Sequence, residues 1–188
     1  MKTVIRLLLI FVFYTPLLAT VKMPDLFSDN MVLQQNSVVK LWGKSSTKTT
    51  VSVKVSWTNT TFSCSPKVDG TWELSIFTPK GSFKKHNIII SDGNALTLKN
   101  ILIGEVWFCS GQSNMEMPVK GYSNQPVIGS NETILNSSND NIRFLNTPRS
   151  ASITPLYDVK GEWKSAGPAT TGNFSATAYY FAKKLQAV

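Results

Sequence analysis

The stretch Ile101-Leu-Ile-Gly-Glu-Val-Trp-Phe-Cys-Ser-Gly-Gln-Ser-Asn114 divides this chain into two kinds of sequence, and its reading decides the fold. Ile101 to Ile103 and Val106 to Cys109 are nearly continuous apolar runs, the pattern of strands buried on both faces. Small and polar residues, Ser110 to Asn114, follow at once. Such a junction is either a plain turn or the rim of a reactive site. Open α/β sheets collect their reactive and binding groups where strands end at the carboxyl edge.

Upstream of the junction, from Val38 to about Leu98, apolar residues recur with period two. Val51, Val53, Val55 and Trp57 share one face of a segment, and Ser52, Lys54 and Ser56 share the other, as in a strand with one wet face. Phe62 and Cys64 alternate again after a turn at Asn59-Thr60. Asp69-Gly70 signals a hairpin before Trp72, Leu74 and Ile76. Asn87 to Ser91, the turn Asp92-Gly-Asn94, and Leu96 with Leu98 complete the series. Short strands with evenly spaced turns predict a β-sandwich of jelly-roll or immunoglobulin-like kind over residues 21–100. Its half-exposed faces carry no evident chemistry, so it reads as a supporting domain.

Downstream the pattern changes. Phe174, Ala178, Phe181, Ala182 and Leu185 fall on one stripe of a helix from Asn173 to Leu185. Asn173 or Ser175 can cap its start, and Lys183 and Lys184 suit its last turn. Between lie Asn- and Ser-rich loops, a strand candidate Ile142 to Leu145, and Gly161-Glu-Trp-Lys164. Residues 101–188 therefore read as the N-terminal, incomplete part of an α/β domain, since so few strands cannot cover the faces of such a sheet.

The N-terminus carries Lys2 and Arg6, then Leu7 to Tyr14, then Pro16 and Ala19. A basic start, a short apolar run and a break before a small residue describe a secretory signal peptide over residues 1–20, with an uncleaved anchor as the other reading. The run is shorter than the roughly 20 apolar residues of a membrane span. A secreted or periplasmic (extracytoplasmic) location follows, and no membrane association beyond the leader. The 188 residues carry a net charge of +8. The basic residues are scattered, without the dense basic stripe and interleaved aromatics that nucleic acid requires. Two cysteines, Cys64 and Cys109, and one histidine, His86, leave no metal-ligand set, and no cofactor is expected. Cys109 reads as a small buried hydrophobe, and a Cys64–Cys109 disulfide is not expected. The sequons at Asn59, Asn131, Asn136 and Asn173 matter only in a eukaryotic secretory pathway.

On physical grounds Gly111 permits a bend that would expose the Ser113 hydroxyl at the strand end. The G-x-S-x-G elbow of α/β-hydrolases is not met, because Met115 stands at its last glycine. Gly104 to Met115 closely resembles the nucleophile block of the sialate O-acetylesterase family, carbohydrate esterases of the SGNH/GDSL hydrolase superfamily. Leu26 to Gln34 resembles that family's opening signature. Val39 to Gly43, Asp69 to Trp72 and Asn173 to Ala182 are similar to further blocks, so nearly the whole chain after the leader is covered.

The resemblance implies a β-sandwich followed by the start of an α/β/α SGNH hydrolase domain, and a serine esterase acting on an acetylated carbohydrate. Ser113 would be the nucleophile and its backbone N–H an oxyanion donor. Gln112 would support the loop or contact substrate, and Asn114 would cap the turn or contact sugar hydroxyls. Glu116 reads as a solvated carboxylate. The family's Asp-x-x-His pair and further oxyanion donors come from segments after the matched region. His86 reads as a surface strand residue, so the chain as given is expected to show little or no turnover. Two rival readings stand beside sialic acid. One is an esterase of acetyl xylan or another polysaccharide. The other is a non-catalytic carbohydrate-binding module using Trp42, Trp57 and Trp72.

Overall fold

The computed structural model describes residues 21–46 and 48–187, so the leader reading falls outside the described residues. Seven strands form the first part: β1 (Val32–Gln34), β2 (Ser37–Lys44), β3 (Val51–Val55), β4 (Thr61–Cys64), β5 (Thr71–Thr78), β6 (Ser82–Ser91) and β7 (Ala95–Gly104). They build a five-stranded sheet ordered β1-β7-β6-β3-β4 and a two-stranded sheet β2-β5. The alternation read from the sequence decides what faces inward. Val51, Val53 and Val55 of β3 are buried, with Ile88 and Ile90 of β6 beside them. Leu41 of β2 and Trp72 and Ile76 of β5 close the core from the other sheet. Burial of a large aliphatic or aromatic side chain is worth about 1.5–3 kcal/mol.

Two turns differ in what they connect. Asp92-Gly-Asn94 joins β6 to β7, which are paired from Ser91↔Ala95 onward. Asp69-Gly70 does not close a hairpin. Its flanking strands pair elsewhere, β4 with β3 and β5 with β2, so the chain crosses there between the sheets. The turn chemistry is as expected, with Gly70 at φ +80° and its N–H bonded to the Lys67 carbonyl at 3.0 Å. A local turn signal reports chain reversal and not which strands become partners. The first sheet is also mixed, because β1 runs parallel to β7.

The second part holds α1 (Ser113–Glu116), α2 (Ser130–Leu135), β8 (Asn139–Leu145), β9 (Trp163–Ala166), a 3-10 turn (Thr171–Asn173) and α3 (Ala176–Gln186). Its strands are an antiparallel pair. The expected strands at the junction turn out differently. Ile101 to Ile103 are buried, but they belong to β7 of the five-stranded sheet. Val106 to Cys109 form no strand and are exposed, Val106 at 43 %, Trp107 at 57 % and Phe108 at 94 %. An apolar run states a preference for burial, whereas a strand needs a neighbouring ladder, and β7 ends at Gly104.

Ser175 caps α3 by accepting the Ala178 N–H at 3.3 Å. Ala176 and Tyr179 of this helix are buried with Val119, Ile142, Ala166 and Phe174 in a small second core, and Ala178 is buried too. The later part of the expected stripe, Phe181 and Leu185, stays partly exposed. Phe181 meets Trp107 edge to face instead, with ring centroids 5.1 Å apart.

The two parts are joined through a buried cation. Arg143 of β8 is 8 % exposed and donates to the carbonyls of Asn30 (2.9 Å) and Asn100 (2.5 Å) and to Asn100 Oδ1 (3.1 Å). Asn30 and Asn100 both adopt left-handed conformations, at φ 67° and 57°, which asparagine tolerates better than most residues. Trp163 Nε1 adds a bond to the Leu26 carbonyl at 2.9 Å, and Trp42 Nε1 one to the Tyr157 carbonyl at 3.2 Å.

Candidate active site

Ser113 opens the single helical turn α1 and its side chain is exposed. The carbonyl of Gln112 accepts the N–H groups of Met115 (3.0 Å) and Glu116 (3.1 Å), and the Ser113 carbonyl accepts that of Met117 (3.0 Å). The first N–H groups of such a turn, those of Ser113 and Asn114, have no acceptor within it. Gly111 makes room for close approach, since a Cβ there would stand 3.1 Å from Met115 Cβ, tighter than most such contacts.

The turn is docked on the start of α3 by several bonds. Thr177 Oγ1 donates to the Asn114 carbonyl at 3.1 Å, Ser175 Oγ contacts Met115 Sδ at 3.5 Å, and the Ala176 N–H reaches the Met117 carbonyl at 2.8 Å. The sequence motif near residue 113 and the one near residue 176 thus meet. Gln112 is exposed and makes no side-chain cap on α1, which leaves its amide open to a ligand.

Two neighbours were not legible beforehand. Glu116 pairs with Arg149, whose guanidinium is held above its ordinary range by that carboxylate, and Tyr122 Oη donates to the Glu116 carbonyl at 3.3 Å. Arg149 lies 33 residues downstream in an irregular loop, so no local pattern marks it.

His86 is placed elsewhere, and differently from the expected surface position. It is 6 % exposed in β6, bonded to Ser56 and edge-on to Trp57 at 5.3 Å. Burial, and then the positive charge of Lys84, push its pKa below the ordinary value. The alternation Lys85-His86-Asn87 puts His86 on the inward face, a consequence of register that the flanking lysines obscured. Cys64 and Cys109 are both free thiols, Cys109 exposed and not buried as expected. Among the described residues no group of three or more His, Cys, Asp or Glu side chains could hold a metal. Trp72 is buried at 2 % exposure and offers no free stacking face, and Trp42 is half-buried in a T-shaped contact with Phe27 at 4.5 Å. No helix of the described residues is long and apolar enough to cross a membrane.

The sequence matches no protein-family profile and no curated protein. Its structure is similar to the crystal structure of a carbohydrate acetylesterase from Xanthomonas citri. The TM-score is 0.81 and the sequence identity 28 %, over 89 % of this chain and 37 % of that one. The chain therefore spans a little over a third of its neighbour's length. The likeness supports a relationship to carbohydrate esterases.

Proposed function

We propose that this chain carries the nucleophile of a serine esterase that removes O-acetyl groups from a carbohydrate. The observation that carries the reading is Ser113 itself. It stands exposed at the head of a helical turn with free N–H groups, in a chain shaped like part of a carbohydrate acetylesterase. Ser113 Oγ would attack the acetyl carbonyl, and the Ser113 N–H would receive the developing oxyanion. A single such donor is typically worth about 10²–10³ in rate. The acetyl-serine would then be cleaved by water. Gln112 suits substrate contact and Asn114, whose carbonyl holds Thr177, suits loop support.

The substrate class we favour is O-acetylated sialic acid or a related glycan, on the resemblance of the Gly104–Met115 block; acetyl xylan is the other candidate. Residues 21–100 would form the supporting sandwich and 101–188 the N-terminal part of an SGNH-type unit, the two meeting within β7. The protein would act outside the cytoplasm after removal of residues 1–20. A serine hydroxyl needs a positioned base, and the one histidine is committed to Ser56 in the sandwich. Turnover by this chain alone should accordingly be slight.

The test is modification by a fluorophosphonate, located by peptide mass, with and without imidazole as a diffusible base. Modification should fall on Ser113, rise with imidazole and vanish in Ser113→Ala. Modification at another serine, or none under either condition, would overturn the reading. Turnover of 4-nitrophenyl acetate lost in Ser113→Ala but kept in His86→Ala would overturn the missing base.

A further inference from the structure

The segment that carries Ser113 leaves the sandwich at Gly104, and two consecutive glutamines hold it there. Gln34 ends β1, which runs parallel to β7 in the register Gln34↔Gly104. Its amide uses both ends on the departing chain. Oε1 accepts the Val106 N–H at 2.8 Å, and Nε2 donates to Glu105 Oε2 at 3.4 Å. Gln35 completes the grip. Its Nε2 donates to Glu105 Oε1 at 2.6 Å, its Oε1 accepts the Gly81 N–H at 2.7 Å, and its own N–H donates to the Gly104 carbonyl at 2.8 Å.

The support behind the grip is buried. The Gln34 carbonyl accepts the Thr78 hydroxyl at 2.6 Å, and Thr78 is fully buried. Gly81 makes room for the Gln35 amide, since a Cβ there would come within 2.9 Å of Gln35 Oε1 and of the Ile103 carbonyl. Both oxygens of the Glu105 carboxylate are thus held by side chains of one strand end. A carboxylate acceptor makes such bonds stronger than those between neutral groups. Beyond Val106 the chain runs exposed to the Ser113 turn, which is fixed on its far side by Thr177 and Ala176.

We propose that Gln34, with Gln35 and Glu105, is a positioning clamp through which the sandwich sets the location of the Ser113 turn. The sandwich is then part of the site's architecture and more than a support. Gln34 acts through Glu105 and Val106 and touches no reacting atom. The inference rests on the reading of Ser113 as a nucleophile, because only then does its placement bear on a reaction. A displacement of the order of 1 Å at a reacting group typically costs about 10²-fold in rate.

Cys109 lies inside the segment and is exposed, which makes it a reporter site. A trifluoromethyl tag on Cys109, in a Cys64→Ser background, should give one narrow fluorine line in the parent. Gln34→Glu keeps an acceptor for the Val106 N–H but sets two carboxylates against each other, so the line should broaden or split. Adding Glu105→Gln exchanges the two groups and should restore it. Glu105→Ala, at an exposed position, should broaden the line as well. With imidazole present, saturating fluorophosphonate should modify Ser113 about 10- to 100-fold more slowly in Gln34→Glu, recovering in the double variant. An unchanged line in Glu105→Ala, or a Gln34→Glu defect that Glu105→Gln does not repair, would overturn the clamp. A parent unmodified at Ser113 would overturn the esterase reading alone, leaving the fluorine line to judge the clamp.

Discussion

Ser56 Oγ lies 3.1 Å from Nδ1 of His86, and the same oxygen accepts the Asn87 N–H at 3.1 Å. This pair seats the chain's one imidazole on the inward face of β6, with its pKa depressed first by burial and then by Lys84. The folded state prefers the neutral ring. The stability it contributes is therefore fully present above the unfolded pKa of about 6.5 and is lost as pH falls below that value. It levels off once the folded protein also takes up the proton. Urea unfolding between pH 7.5 and 5 should show this decline in the parent, and a shallower one in His86→Gln. Equal slopes in the two proteins would refute the assignment.

Gly43 of β2 stands opposite Trp72, and a Cβ at Gly43 would come within 2.7 Å of both the Trp72 ring and the Lys22 carbonyl. Neither neighbour can retreat, since Trp72 is in the core and Lys22 is bridged to Lys44. Gly43→Ala should cost about 1–3 kcal/mol, the usual range for overpacking. The denaturant midpoint should fall with the m-value unchanged; a stability equal to the parent's would show that the strand pair can yield.

Arg143 satisfies carbonyls of Asn30 and Asn100 that have turned inward on left-handed backbone. Arg143→Met removes the donors and leaves those carbonyls buried beside an apolar chain. Hydrogen bonds to charged groups are worth about 1.5–3 kcal/mol, and the loss should be of that size or somewhat larger. Faster hydrogen exchange in β8 and β9 than in β3 and β6 would mark this as loosening of the second part from the first. Uniform acceleration across all strands would instead mean that Arg143 supports the whole fold equally.

Ser113 is exposed at the head of α1, so Ser113→Ala should leave the melting temperature within the scatter of a surface substitution, about 0.5 kcal/mol in equivalent terms. Ser175→Ala should behave in the opposite way. It removes the α3 cap and should cost about 1 kcal/mol. It should also loosen the Ser113 turn through Met115 and Met117, visible as faster exchange of the Met115 to Met117 amides.

Much of the strand pattern of the first part was legible in the chain itself. Period two in Val51 to Val55 and in Trp72 to Ile76 states which side chains seek a core, whatever their partners prove to be. The helix and a cap at Asn173 or Ser175 were equally local, because capping and 3.6-residue periodicity involve only neighbours along the chain; the structure takes Ser175, starts the helix at Ala176 and leaves Asn173 in the 3-10 turn. The motif around Ser113 was legible as a polar junction, and its resemblance to an esterase block pointed the same way as the structural neighbour.

What tertiary structure alone decided were matters of partnership. Asp69-Gly70 reverses the chain, but only the assembled sheets show that it joins strands of different sheets. His86 looked like one polar residue among lysines until the register of β6 turned it inward. Val106 to Cys109 had the composition of a buried strand, yet a strand exists only when another backbone meets its N–H and C=O groups. In the described residues, what meets Val106 is the amide of Gln34, 72 positions earlier. Periodicity reads the preferences of a segment; hydrogen-bond partners distant in sequence are set only when the chain has folded.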